Sequence, residues 1–359
     1  MSYKDLKEIH YTICPVGNTS YIAAKKGWLI EGLTPLGVKP VLLQTLPSEN
    51  WKHHFDYQDD VLFREGGNIP PLWAKSNDAE VVLIGLARLR QNQGILTRKD
   101  SKIEYVWQLR GKKIGIPAHP QALIDFHKAT SEHGFKIILN AHGVDVSEVQ
   151  SVILEEEDGF LIGGGVPKPK GTCVLIHGPG EERPPAIEVR ALDEGKVDAI
   201  YIKLSSLGAL LETGKYRLLA DVAANPALIV PVNNEYPNAL TTSRRLAEDY
   251  PEVVTAYVKQ LLRASIWAAE NRPEADEILA EQTMGKSVAQ YFASFKADFH
   301  RHIAPDLSDE SLAALETQKR FLLAGGYLKK DFALEKWADD RFLKAAWREL
   351  RAEEAKEAV

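Results

Sequence analysis

Two cysteines, Cys14 and Cys173, are all that the 359 residues contain, and neither sits in a Cys-x-x-Cys or a Cys/His ligand spacing. That argues against a disulfide scaffold and against a thiolate metal site. The ten histidines include His53-His54 and His300-x-His302, but neither pair completes a ligand set, so no metal is expected. No apolar run is long enough to span a bilayer. The opening residues Met1–His10 lack the apolar segment and small-residue cleavage site of a secretory signal, so a cytoplasmic protein is expected, without a membrane partner. Lys and Arg are scattered along a chain of formal net charge −6. With no basic stripe to follow a phosphate backbone, nucleic acid is not expected as a partner either.

What is present is a globular composition, 45% hydrophobic and 26% charged. The length is too great for one ordinary core and suggests two domains. Ile9–Cys14 reads as a strand, Thr19–Glu31 as a helix ending before Gly32, and Val38–Gln44 as a second strand. Gly66-Gly67-Asn68-Ile69-Pro70-Pro71 is a turn opening a helix, with prolines where first-turn residues need not donate. Glu80–Leu86 and Gly94–Thr97 continue the strand–helix alternation of parallel βαβ units. A new module enters at Leu109–Pro117, where a strand runs toward a helix expected near His119. Gly159–Pro185 reads as a long loop, and Ala191–Ile200 as a helix end, turn and strand. Strands at Tyr216–Ala220 and Leu228–Pro231 should bring the chain back to the first domain. Amphipathic helices are expected over Pro251–Asn271, Ser287–His302 and Ser308–Leu323. The expected partition is 1–112 with 222–359, and 113–221.

Cys14 stands where a strand ends and a loop leads to a helix, and the carboxyl ends of strands line ligand crevices in α/β sheets. Nearby helix N-termini favour thiolate over thiol. Alone, such a cysteine reads as a small buried hydrophobe, but Pro15-Val16-Gly17-Asn18 is loop chemistry. His54 has the chemistry of an acid or base for a thiol, and Arg64 offers a planar fork for a two-oxygen anion. Gly66-Gly67 before a helix lets backbone N–H groups face the same anion. Separately these are a packed histidine, a surface charge and an ordinary turn; together they sketch an anion site with an acid or base beside it. His119 at a helix start, an aromatic wall from Trp28, Trp51, Trp73 and Trp107, and the acidic run Glu155–Asp158 are weaker candidates. They read as a cap or solvent contact, core packing and a solvated loop entry. Cys173 has no evident partner.

Tyr11-Thr12-Ile13-Cys14-Pro15-Val16-Gly17-Asn18 resembles the segment holding the catalytic cysteine of the hydroxybiphenyl-sulfinate desulfinases, the last enzymes of the sulfur-specific dibenzothiophene pathway. His54-Phe55-x-Tyr57 followed by Arg64-x-Gly66-Gly67-x-Ile69-Pro70-Pro71-Leu72 is similar to their second active-site segment. The similarity continues through Leu109–Ile116, Gly195–Tyr201, Ala297-Asp298-Phe299 and Thr317–Leu323. The long loop Gly159–Pro185 and the helix around His127–Gly143 fit poorly. The resemblance implies an α/β, two-lobed periplasmic-binding-protein-like (type II) fold with parallel-rich mixed sheets and a helical C-terminal tail. That fold is shared with sulfonate-, taurine- and nitrate-binding proteins.

Residue by residue, the resemblance implies Cys14 as the catalytic thiol, His54 as its hydrogen-bond partner, and Arg64 with the Gly66-Gly67 backbone as the sulfinate binders. It implies hydrolysis of the C–S bond of an aromatic sulfinate, 2'-hydroxybiphenyl-2-sulfinate or similar, to sulfite and the phenol. No cofactor is needed, and a monomer is expected. Cys14 as proton donor and Cys14 as nucleophile both remain open. The alternative is a non-catalytic solute-binding protein for a sulfonate or related small anion, which could do without Cys14. Fold alone does not choose between them.

Overall fold

The computed structural model describes residues 5–14, 16–89, 91–156, 185–222, 232–282 and 299–357. The loop expected at Gly159–Pro185 (Pro185 apart), the strand at Leu228–Pro231, most of the helix at Ser287–His302, and Cys173 lie outside the described residues. Ten strands are described: β1 (Glu8–Ile13), β2 (Lys39–Leu42), β3 (Leu62–Gly66), β4 (Val81–Ala87), β5 (Gln93–Arg98), β6 (Lys113–Ala118), β7 (Gln150–Glu155), β8 (Ala199–Lys203), β9 (Tyr216–Asp221) and β10 (Asn238–Ser243). They form two five-stranded sheets, ordered β2-β1-β3-β10-β4 and β7-β6-β8-β5-β9.

In the first sheet β1 pairs in parallel with β2 and β3, the sign of βαβ crossovers. β10 enters antiparallel between β3 and β4. The second sheet repeats the plan, with β6 parallel to β7 and β8, and β5 antiparallel to β8 and β9. Both sheets are therefore mixed and parallel-rich. The chain divides into two units, Met1–Leu89 with Asn234–Gly285 and His300–Val359, and Arg90–Asn233 with Lys286–Phe299. The expected partition put the first crossing at 112/113, but β5 is already a strand of the second sheet. The return, expected at 221/222, falls at Asn233/Asn234.

Two helix boundaries also differ from the sequence reading. The single helix expected over Thr19–Glu31 is two, Thr19–Lys25 and Trp28–Leu33, split where Gly27 takes a left-handed φ of 76°. Glycine adopts that conformation at no steric cost, and a helix commonly ends on it. The helix expected near His119 begins at Phe126, because Asp125 supplies the cap by accepting from Lys128 N at 3.0 Å.

In the first unit the helix Pro251–Glu270 covers one face of the sheet; Tyr257 stacks on Phe63 of β3, rings 4.0 Å apart. The tail closes the outer edge of β4. Leu86 and Asp306 exchange two backbone hydrogen bonds of 2.7 Å, and Asp339 N donates to Leu83 O. The buried Trp337 Nε1 donates to Val81 O at 3.0 Å. An edge strand left open is a template for wrong pairing, and these contacts remove it. Among the described residues no helix is long and apolar enough to cross a membrane.

Candidate active site

Alternation along β1 places Thr12 on the side of the strand from which Cys14 continues just past its end. Cys14 N donates to Glu65 O at 3.0 Å, extending the β1–β3 ladder by one bond. Thr12 faces Arg64 across that ladder. His54 comes from the short helix His53–Asp56, which stops at Tyr57 in a left-handed conformation, φ 57°. Tyr57 is then fixed by a 3.0 Å hydrogen bond between its hydroxyl and Thr241 Oγ1 of β10. Asn18 finishes the Cys14 turn. Its Nδ2 donates to Cys14 O at 3.0 Å, and its Oδ1 caps the helix Thr19–Lys25 by accepting from Tyr21 N.

These elements bring Cys14, His54, Arg64 and Gly66 together. Cys14 Sγ lies 3.4 Å from His54 Nε2 and 3.5 Å from Arg64 Nη2. Cys14 is buried, 4% exposed. Gly66 forms the floor, since a Cβ there would fall 2.1 Å from Sγ. Burial first, and then the Arg64 guanidinium, hold His54 well below the ordinary imidazole value of 6.5, so the ring is neutral.

Arg64 differs from its expected role. At 1% exposure it is no surface charge, and its fork is not open. Nε donates to His54 O and Nη1 to Gly67 O, each at 2.9 Å. The guanidinium thus ties together the backbone of the histidine, the glycine turn and the thiol, and only part of its donor set remains for an anion. The helix N-terminus at Ile69 is likewise engaged. Asn68 N donates to Asn234 O at 2.6 Å and Ile69 N to Asn234 Oδ1 at 3.0 Å. The Gly67 N–H, by contrast, has no hydrogen-bond acceptor among the described residues.

Several residues were not singled out by sequence. Thr12 was legible in principle as the residue two before a cysteine on a strand. Gln44, Asn234 and Thr241 come from distant segments and carry no local signal. Glu65 is fully buried and accepts from Ser20 N at 2.7 Å and from Thr19 Oγ1. Burial raises its pKa, and the bonds from Ser20 and Thr19 oppose that. Its carboxylate and its carbonyl together pin both ends of the Cys14–Asn18 turn.

Trp28 packs edge-on against Trp267, 5.8 Å between rings, with Arg263 over its face. Trp51 Nε1 donates to Leu46 O. Trp107, 54% exposed, belongs to the second unit and stacks on Tyr105. Among the described residues no group of three His, Cys, Asp or Glu is placed to hold a metal ion.

His119, also in the second unit, neither caps a helix nor faces solvent. It is 6% exposed, with Nδ1 3.3 Å from Asp125 and Nε2 3.5 Å from Glu156. Burial opposes its charge, but the bonds to the two carboxylates prevail and push its pKa up to about 9. A raised folded-state value means that the stabilisation is complete below the ordinary 6.5 and is lost as pH rises through about 9. Urea unfolding from about pH 6 to about pH 10 should therefore show stability falling across that window, and His119→Gln should flatten the fall. A slope equal in the two proteins would mean that other groups control it.

The two mixed sheets, each with parallel strands joined through helices, define the class: a periplasmic-binding-protein-like fold. The periplasmic aliphatic sulphonate-binding protein SsuA from Escherichia coli superposes with a TM-score of 0.63 at 15% identity, covering 93% of this chain and 92% of that one. The desulfurization enzyme DszB is more similar, with a TM-score of 0.73 at 24% identity over 96% of this chain and 99% of that one. A Cys-to-Ser mutant of DszB in complex with biphenyl-2-sulfinic acid gives 0.72. Among curated proteins, the 2'-hydroxybiphenyl-2-sulfinate desulfinase of Rhodococcus erythropolis is 27% identical over 354 residues, which cover 93% of this chain and 92% of the relative. No family model matches the chain.

Proposed function

We propose that this protein is a cysteine-dependent aryl-sulfinate desulfinase, a carbon–sulfur hydrolase acting on 2'-hydroxybiphenyl-2-sulfinate or a similar aryl sulfinate. The observation that carries this reading is the setting of Cys14 Sγ, between His54 Nε2 and Arg64 Nη2 above a glycine floor. A thiol set between an imidazole nitrogen and a guanidinium is placed for acid–base chemistry that a non-catalytic solute-binding protein can do without. The near full-length similarity to the Rhodococcus desulfinase supports the same reading.

In this scheme the Gly67 N–H and the remaining Arg64 N–H bonds receive the sulfinate oxygens. The Cys14 S–H gives its proton to the ring carbon that bears sulfur. The ring's π electrons take that proton, the C–S pair restores the ring, and SO2 departs. Water converts SO2 to hydrogen sulfite and returns a proton to Cys14, so atoms and charge balance. Attack by a Cys14 thiolate would instead bring two anions together in a buried site, at a Coulombic cost that the proton-donor route avoids. His54, held neutral, is not the proton source. A reduced thiol at the centre is suited to the cytoplasm, where we place the enzyme.

Sulfite release measured with purified protein and 2'-hydroxybiphenyl-2-sulfinate tests the reading. Stoichiometric sulfite and hydroxybiphenyl are expected. Tight binding of aryl sulfinates with no sulfite over many hours would make this a solute-binding protein instead.

A further inference from the structure

We propose that Gln44 is a positioning residue which, acting through Thr12, fixes the tautomer of His54 so that Nε2 carries the proton and the ring presents a donor, not a base, to the Cys14 sulfur. The inference rests on Cys14 being the reacting group, but the tautomer can be observed without turnover.

Gln44 lies in the short turn Leu43–Thr45 that follows β2, the strand beside β1. Its Nε2 donates to Thr12 Oγ1 at 2.6 Å, and Thr12 Oγ1 is 2.8 Å from His54 Nδ1. An amide nitrogen can only donate, and a threonine hydroxyl has a single proton. With one Thr12 lone pair taken by Gln44, the hydroxyl proton is satisfied by pointing at Nδ1, the other side-chain partner of Thr12 among the described residues. A neutral imidazole that accepts at Nδ1 carries its proton on Nε2. Burial and the Arg64 charge keep the ring neutral, so no second proton blurs the assignment.

Two N–H groups, His54 Nε2–H and Arg64 Nη2–H, then face Sγ. They stabilise the thiolate that remains once Cys14 has given up its proton, and neither draws that proton away beforehand. Gln44 Oε1 is buried and has no hydrogen-bond partner among the described residues; turning the amide over would leave two buried N–H donors unpaired in its place, the costlier arrangement. A carboxylate at this position can only accept. Gln44→Glu would therefore take the Thr12 proton, leave Thr12 to accept from His54 Nδ1–H, and turn Nε2 into a bare lone pair.

Nitrogen NMR on protein labelled in its histidine rings reads this directly, with His54 assigned by the signal lost in His54→Gln. The wild type should show a protonated Nε2 and a bare Nδ1, Gln44→Glu the reverse, and the similarly sized Gln44→Met a mixture. The pH dependence of Cys14 alkylation by iodoacetamide supplies a second readout. Loss of the Nε2–H donor in Gln44→Glu should move thiolate formation upward by about one pH unit. A wild-type ring protonated on Nδ1, or a ring unchanged by either substitution, overturns the proposal. If the ring behaves as stated but no aryl sulfinate yields sulfite, the desulfinase reading fails and the assignment of Gln44 stands. If sulfite is released while Nδ1 carries the proton, the reverse holds.

Discussion

Cys14→Ser should abolish sulfite release while leaving the fold and sulfinate binding close to those of the wild type. Serine keeps the size and the hydrogen-bonding geometry between His54 Nε2 and Arg64 Nη2. It is a far weaker acid than a thiol, so it cannot deliver its proton to a ring carbon at neutral pH. Loss of an essential group of this kind costs on the order of 10³-fold or more in kcat. KM should move little if, as proposed, Gly67 and Arg64 hold the sulfinate oxygens. Cys173→Ser should leave turnover near normal, and alkylation of the wild type should remove activity, more slowly with a product analogue bound. Turnover of Cys14→Ser near the wild-type rate would make Cys14 a packing residue and remove the proposed mechanism.

Gly66→Ala should be nearly as damaging, for a reason of space alone. The new Cβ would sit 2.1 Å from Cys14 Sγ, 2.8 Å from its Cβ and 3.3 Å from Arg64 Nη2. Real Cβ contacts do not come that close, so the thiol must shift from its place. Displacement of a reacting atom by about 1 Å costs on the order of 10²-fold in rate, and overpacking of a buried site costs about 1–3 kcal/mol of stability. Sulfite release and thermal unfolding measured together separate the two effects. Gly67→Ala is the comparison, since its Cβ would meet the Asn234 side chain at 2.5 Å and not the thiol. It should disturb the start of the helix Ile69–Ser76 and, through the Gly67 N–H proposed to receive the sulfinate, raise KM more than it lowers kcat. Equal rates for Gly66→Ala and wild type would show that the Cys14–Gly66 contact does not set the position of the sulfur.

The residues of the site were legible before their geometry. Cys14, His54, Arg64 and the Gly66-Gly67 turn are recognisable as residue types in a spacing, and they converge. What each does was less legible. Arg64 looked like an open fork because a sequence does not show which carbonyls a guanidinium will find. In the fold, His54 O and Gly67 O occupy two of its three nitrogens. His119 looked like a helix start because the loop after a strand often leads into one. Asp125, six residues later, captured both the helix cap and the histidine.

Sequence by itself determined the local grammar of this protein: alternating strands and helices, the prolines and glycines that punctuate them, and the absence of any long apolar span or basic stripe. Those features depend on interactions between near neighbours, so hydrophobic periodicity and turn chemistry carry them. Only the tertiary structure decided the position of β10, which returns from residue 238 to lie antiparallel between β3 and β4. It alone decided that Gln44 reaches His54 through Thr12, and that Asn234 caps the turn after Gly67. These are contacts between segments tens to hundreds of residues apart. Their free energy comes from burying polar groups only where partners meet them, and no local stretch of chain records where that meeting will occur.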